Sequence, residues 1–403
     1  MLVSICYGVG IGIGCGVISG LIPGIHANTM AGLLLSLQAL LLTWFDPVVI
    51  ATAMFSALVT HTFIDFVPGA FLGIPDADTS LAVLPAHSLC LEGRGEEAVR
   101  ISALGSAAGV AFSLPLALVF ILMLPALQPA IDWGIGLIIL AVGGYLIVVS
   151  ESPGWALTVF LVSGALGLYS LHYSYLAWQI GGESSVLMPL LSGLFGIAVL
   201  LQASHGTMPA QHFRGIDLPS SAIRRGSILG SIAGALVGWL PGLSNATANA
   251  LLTSVIGYDS NPREYIVATS AANTVNAFLG LAAFYAISRT RNGVMVALAA
   301  AEEIPPATVI LLAGALAAVG AYLLTVFLST MAGWFGGVNV AALNRGVIIF
   351  VVILSLILCG PFGGLILLLA TAVGYIPSLI NIRRVYCMGA IMVPVMAYSF
   401  GFA

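Results

Sequence analysis

Two short runs in this 403-residue chain join a proline-glycine pair to amide and hydroxyl side chains. The first is Pro23-Gly24-Ile25-His26-Ala27-Asn28-Thr29. The second is Pro241-Gly242-Leu243-Ser244-Asn245-Ala246-Thr247, with Asn249 just beyond. Proline cannot continue a helix cleanly, and glycine lets the chain turn. A helix restarting after such a break offers free N–H groups and a positive dipole end, which favour an anion. Carbonyls freed on the other side of the break suit a cation. Asn28, Thr29, Ser244, Asn245, Thr247 and Asn249 could complete either site, with Na⁺ near Asn28, Thr29, Asn245 and Thr247 as one reading. Capping of the broken helices is the plainer one. His26 joins the candidates by position, although a lone histidine is more often a hydrogen-bonded core residue.

A carboxylate inside an apolar run is costly and marks a functional site by default. Asp65 is such a group, with His61 one turn before it. It could carry a coupling proton or ligate Na⁺; a structural, hydrogen-bonded aspartate near a helix end is the alternative. Asn273, an amide inside the corresponding run of the second half, is a further candidate. A polar insertion, Gly73-Ile74-Pro75-Asp76-Ala77-Asp78-Thr79-Ser80, reads as the tip of another hairpin because the apolar run resumes at Leu81. Its approximate counterpart runs Ser288-Arg289-Thr290-Arg291-Asn292-Gly293. Arg289 and Arg291 could pair with a carboxylate substrate, or sit in a plain exterior loop.

The elements that must hold these residues are membrane helices. Apolar side chains make up 60% of the chain and charged ones 6%, and there is no lysine among its 11 basic residues. A soluble domain carries about 25% charge, and the mean hydropathy of +1.12 makes lipid the solvent for most of the surface. The apolar stretches form two sets of six: 2–44, 47–72, 98–126, 131–150, 154–172 and 184–203, then 223–257, 264–288, 304–332, 342–359, 361–380 and 385–402. A bilayer-spanning helix needs about 20 residues. Stretches 2–44 and 223–257 are too long for one helix, and each is split by its Pro-Gly pair into a hairpin that returns the chain to the side it left. The expected fold is an all-α polytopic membrane protein of about 12–14 membrane segments. Its expected units are a first repeat over 1–203, a cytoplasmic linker over 204–224 and a second repeat over 225–403.

The halves match each other. A shift of 218 residues lays Gly8, Gly12, Gly16 and Gly20 on Gly226, Gly230, Gly234 and Gly238, and Pro23-Gly24 on Pro241-Gly242. Thr29 then falls on Thr247 and Ser36 on Ser254. Each half has one hairpin and five single spans, an odd number, so the second should be inverted. Basic loops stay cytoplasmic. That rule places Arg94, Arg100, the linker, Arg263, Arg345 and Arg383-Arg384 inside, and Asp46, Asp132, Glu302, Glu303 and both termini outside. Only Arg289 and Arg291 fall on the wrong side. Inverted repeats with matching broken helices are the mark of a secondary transporter whose site lies near the midplane. The glycines at every fourth position form a face for close helix packing.

Other classes find little support. There is no HExxH, GxSG or P-loop, so neither an enzyme nor an ATP-driven pump is expected. GIGCG fails as a dinucleotide fingerprint, since neither a strand nor a properly spaced acid accompanies it. The five cysteines form no CxxC pair and read as buried structural thiols. No block of like charge points to nucleic acid. The apolar N-terminus lacks the charged region of a signal peptide, the first basic residue being Arg94.

The pattern GxxxGxxPGxxxxT in both halves, the GIPxxxxS segment and Gly93-Arg94-Gly95-Glu96-Glu97-Ala98 resemble the large membrane subunit of tripartite tricarboxylate transporters, the TctA family. The resemblance covers nearly the whole chain and is nearest to a shorter archaeal branch. It departs where Asp76-Ala77-Asp78 follows Pro75 and where His26 stands in place of glycine. It implies a permease for a small organic anion such as a di- or tricarboxylate, driven by Na⁺ or H⁺ through alternating access, with no other cofactor. The implied partners are a small membrane subunit and an extracytoplasmic binding protein, with a homodimer also expected. By resemblance, both Pro-Gly breaks and the Gly73–Ser80 segment line the path. A flippase for a phosphorylated lipid carrier is the alternative, its phosphate held by the arginine pair.

Overall fold

The computed structural model describes residues 1–22, 26–73, 82–178, 186–201, 207, 209–240, 245–257, 260–335, 337 and 339–402. The first half holds α1 (Leu2–Leu21), α2 (Ala27–Ser36), the short α3 (Gln38–Leu41), α4 (Pro47–Ile64) and its continuation α5 (Phe66–Leu72). It goes on through α6 (Val83–Leu91), α7 (Gly95–Val148), α8 (Pro153–His172), α9 (Leu187–Leu191) and α10 (Ala198–Leu200). The second half holds α11 (Ser220–Trp239), α12 (Asn245–Val255), α13 (Pro262–Ile287) and α14 (Gly293–Ala299). It ends with α15 (Ala307–Ser329), α16 (Val340–Leu379) and α17 (Gly389–Ser399). Among the described residues there is no strand, only an isolated bridge between Thr207 and Asn339. Seven of the described helical segments are long and apolar enough to cross a membrane, and two shorter apolar segments accompany them, Gly136–Val148 at the end of α7 and Leu187–Ile197. The all-helical, polytopic expectation is borne out.

Two junctions of adjacent apolar stretches behave differently. The stretches 98–126 and 131–150, expected as separate spans, form one helix of 54 residues that runs through Pro115, Pro125 and Pro129. At 1.5 Å per residue it is about 80 Å long. No residue of positive φ interrupts it, and proline alone removes one hydrogen bond without reversing the chain. The stretches 342–359 and 361–380 do part, at Gly360, whose φ of 65° and ψ of −162° no L side chain adopts readily. The Trp178 indole closes over that glycine: a Cβ there would lie 2.7 Å from the ring.

The glycine periodicity decides how each half begins. Along α1, a methyl on Gly12 would sit 2.6 Å from the Ala53 carbonyl, and one on Gly16 would sit 2.7 Å from that of Ala57. Gly230 and Gly234 of α11 press in the same way on the carbonyls of Ala268 and Ala272 in α13. Each first helix therefore lies flush against the helix after its hairpin, backbone to backbone. Partners rise together along both pairs, so α1 runs parallel to α4 and α11 parallel to α13. Such a course requires the intervening α2 and α12 to bring the chain back. Ser4 Oγ donates to Asp46 Oδ2 at 2.5 Å, joining the start of α1 to the start of α4. Arg225 at the start of α11 lies 3.5 Å from Glu264 at the start of α13. It also bonds the Val255 carbonyl at the end of α12 at 3.4 Å. Both hairpins thus return the chain to the end it left.

The halves interlock through exchanged helices. α7 of the first half packs along α13 of the second, where Gly105 and Gly109 meet the backbone at Val267 and Ala271. α15 of the second packs along α4 of the first, where Gly314 meets the Phe55 ring. α4 and α13 themselves touch at Phe55–Phe278 (ring centroids 5.4 Å apart), at Thr62–Thr274 (3.1 Å) and at Asp65–Asn273 (2.8 Å). Residue numbers rise on one helix as they fall on the other, so α4 and α13 run antiparallel where they cross.

The segment between the halves is strapped to one end of the bundle. Glu97 is 2% exposed and receives Arg94 (2.6 Å), Arg263 (2.9 Å) and the Asp217 backbone N–H (2.9 Å). Gln211 accepts from the Gly95 N–H at 2.9 Å and donates to the Cys90 carbonyl at 2.8 Å. The Arg100 guanidinium stacks over the Phe213 ring at 4.3 Å. A buried carboxylate this far from water needs two arginines and an amide around it. Together they join α7, the linker and α13.

Candidate functional site

Asp65 sits where α4 passes into α5, 4% exposed, within the 26-residue span Pro47–Leu72. Asn273 lies inside α13, itself a 26-residue span, and is 3% exposed. Its Nδ2 donates to Asp65 Oδ2 at 2.8 Å, and its Oδ1 accepts from Asn245 Nδ2 at 2.7 Å. Asn245 is the first residue of α12, three residues after the second Pro-Gly pair, and is 1% exposed. Three sequence candidates are thus brought into one chain of hydrogen bonds: a carboxylate from the first half and two amides from the second. Asn245 Oδ1 has no hydrogen-bond partner among the described residues. Asn249 follows one turn along α12, on the same helix face, and its backbone carbonyl accepts from the Tyr265 hydroxyl at 2.8 Å.

A buried carboxylate beside amide oxygens and the opening turn of a helix can do two things. Protonated, it is a neutral donor; ionised, it is held by amide N–H groups and the helix dipole, or it ligates a hard cation with the amide oxygens. The crossing of α4 and α13 sets the geometry. Nothing in the spacing of Asp65 and Asn273, 208 residues apart, hints at their pairing.

The first break contributes a second group. His26 is the N-cap of α2, its Nδ1 accepting from the Asn28 N–H at 3.2 Å. Asn28 Oδ1 accepts from the Val294 N–H at 3.2 Å, at the start of α14. His61, which sequence reasoning noted only as a neighbour of Asp65, packs its ring against that of His26 with centroids 4.6 Å apart. Its spacing from Asp65 was visible in the sequence; its contact with His26, across a helix break, was not.

Arg291 meets the other break. Its guanidinium donates to the carbonyls of Leu240 at 2.6 Å and Val237 at 2.5 Å, in and just after the last turn of α11. A cation there satisfies carbonyls that the helix end leaves orphaned and complements the negative dipole end. With Val294 on Asn28, the short segment from Arg291 to Val294 spans from the end of α11 to the start of α2. The side chain of Asn292 caps α14 by accepting from the Met295 N–H at 2.9 Å. Arg289 lies two residues earlier, in the same loop.

Of the remaining candidates, Pro23, Gly24, Pro75, Asp76, Asp78, Thr79, Ser80, Pro241, Gly242 and Ser244 lie outside the described residues. Thr29 falls in α2 and Thr247 in α12, with side chains that are likewise outside the description. Gly73, which opens the Gly73–Ser80 segment, ends α5 in the left-handed conformation at φ 65°. No group of three or more histidine, cysteine, aspartate or glutamate side chains that could hold a metal ion occurs among the described residues.

With this geometry in hand, comparison with known proteins adds three findings. The model of the tripartite tricarboxylate transporter TctA family matches residues 7–389. An uncharacterized protein of Methanocaldococcus jannaschii, MJ1079, is 34% identical over 183 residues, which cover 44% of this chain and 43% of that protein. The alignment therefore spans less than half the length of that relative. No solved structure matches the chain.

Proposed function

This chain belongs to the tripartite tricarboxylate transporter TctA family, and from that premise we propose that it is a secondary permease for a small organic anion. Its substrate is a di- or tricarboxylate, moved by alternating access and coupled to an Na⁺ or H⁺ gradient. The observation that carries this reading is the chain Asp65–Asn273–Asn245. It lies in the interior of two membrane spans, joins the two halves and ends at a helix break. An ionisable group so placed is the usual seat of ion coupling, and broken helices at a repeat interface are the usual seat of substrate.

The two halves, 1–203 and 225–403 around the linker 204–224, are an inverted pair in this reading. The antiparallel crossing of α4 and α13 and the reciprocal packing of α7 and α15 support it. The linker faces the cytoplasm and the termini face outward, in keeping with the basic residues gathered at the linker end. A small membrane subunit and an extracytoplasmic binding protein complete the transporter, and the family favours this over a lipid-carrier flippase.

The test is uptake of labelled citrate and a panel of di- and monocarboxylates into proteoliposomes, under imposed Na⁺ or pH gradients. Gradient-dependent uptake that Asp65→Asn abolishes, at unchanged thermal stability, is the expected result. Absence of uptake of every carboxylate under both gradients, with candidate partner subunits reconstituted alongside, overturns it.

A further inference from the structure

The polar chain at Asp65 leaves a second buried group without a role. His61 lies on α4, 2% exposed. Its Nδ1 is 3.1 Å from Ser19 Oγ, and that hydroxyl donates its one proton to the Gly16 carbonyl at 3.2 Å. The serine oxygen is then the acceptor, the imidazole carries its proton on Nδ1, and Nε2 keeps a bare lone pair. Nε2 is buried and has no hydrogen-bond partner among the described residues. The His26 ring against it has its Nδ1 engaged as the cap of α2, so its own proton is on Nε2. Two imidazoles thus meet at the opening turn of a ten-residue helix, one a donor and the other an unused base. That turn's N–H groups and dipole favour a negative charge.

We propose that His61 is the proton-coupled half of a carboxylate site at the start of α2. A proton from the outer solution bonds to Nε2, and the imidazolium then donates that N–H to the substrate carboxylate beside His26. Release of the carboxylate on the inner side removes the counter-charge, and the proton leaves Nε2 for water. Without the anion, a buried imidazolium is strongly disfavoured; without the proton, the anion meets a lone pair. Each ligand therefore promotes the other's binding. The assignment rests on the permease reading and makes H⁺ a coupling ion.

The groups that face His61 fit this use. α2 brings His26, and Asp65 lies one turn on at the start of α5, accepting from Asn273. α1 brings Ser19, with Cys15 one turn before it. α14 and α15 contain no charged residue, and Arg291 ahead of α14 is bonded to α11. Glu96, Glu97 and Arg100 of α7 and Arg263 and Glu264 of α13 are paired around the linker end.

Equilibrium binding of labelled citrate and succinate to the purified full-length chain in detergent tests this, across about pH 5 to 8 where imidazole titrates. A pH-indicating dye in weak buffer reads proton uptake at the same time. The expected result is affinity rising up to about tenfold per unit fall in pH, with close to one proton taken up per anion bound. His61→Gln and His61→Asn should keep only the pH dependence and proton exchange that the carboxyl groups of the anions themselves contribute. A parent that shows no more than that contribution, or a pH dependence as steep in both variants as in the parent, overturns the His61 assignment and leaves the permease reading standing. No binding of either anion by the parent also overturns the His61 assignment, and the permease reading then stands or falls by the reconstituted uptake. Even where both variants fail to fold, a parent that binds the anion without taking up a proton overturns the assignment.

Discussion

At the scale of single residues, one of the two arginines that the positive-inside rule could not place gains a physical account. Arg291 lies on the carbonyls of Val237 and Leu240, two buried residues where α11 ends inside the protein. Hydrogen bonds to a charged group contribute about 1.5–3 kcal/mol each. Arg291→Met should therefore lower the stability of the substrate-free protein by about 2–4 kcal/mol, and Arg291→Lys by less, since an ammonium retains one bond and the charge. Thermal unfolding in detergent without substrate checks this; an unchanged melting temperature in Arg291→Met would contradict the capping role. Asp65 and Asn273 make the complementary point. Each was legible as a costly polar group in an apolar run, but a costly group in a sequence names no partner.

At the scale of elements, the glycine stripe is a sequence signal that the packing renders literal. Gly12 and Gly230 face a neighbouring backbone, whereas nothing lies within 4 Å of a Cβ built at Gly10 or Gly14. The same substitution should therefore have opposite outcomes one turn-face apart. Gly12→Ala and Gly230→Ala should each cost about 1–3 kcal/mol as the helices are forced apart. Gly10→Ala should stay within about 0.5 kcal/mol or stabilise slightly, because alanine is the better helix former. Melting temperatures of the three variants measure the contrast, and equal losses at positions 10 and 12 would refute the packing argument. The long α7 was not legible in this way. The gap between the stretches 98–126 and 131–150 read as a boundary, but one continuous helix carries the chain through it.

At the scale of the whole molecule, the charged side chains sort by end. Arg94, Arg263, Glu97 and Asp217 meet at the linker. Asn344, next to Arg345, reaches the Leu200 carbonyl, and Arg384 reaches that of Ala198, both in α10 shortly before the linker. Asp46 sits with the start of α1 at the other end. The proposed orientation predicts labelling from one side only, in a chain with its five cysteines replaced. A cysteine at the exposed Ser220 should react with an impermeant maleimide in inside-out vesicles and be silent in right-side-out ones, and a cysteine at Leu2, 67% exposed, should do the reverse. Labelling of both from the same side would overturn that orientation. By itself the sequence determined the solvent, the helical class, the internal match of its halves and the close-packed faces. Composition and periodicity report directly on burial in lipid and on the 3.6-residue turn. Only the tertiary structure decided that α4 and α13 cross antiparallel, that Asp65 meets Asn273 and Asn245, that His61 meets His26, and that Arg291 covers the end of α11. Those pairings depend on the angle and depth at which helices distant in sequence cross, which side-chain packing sets and residue spacing does not encode.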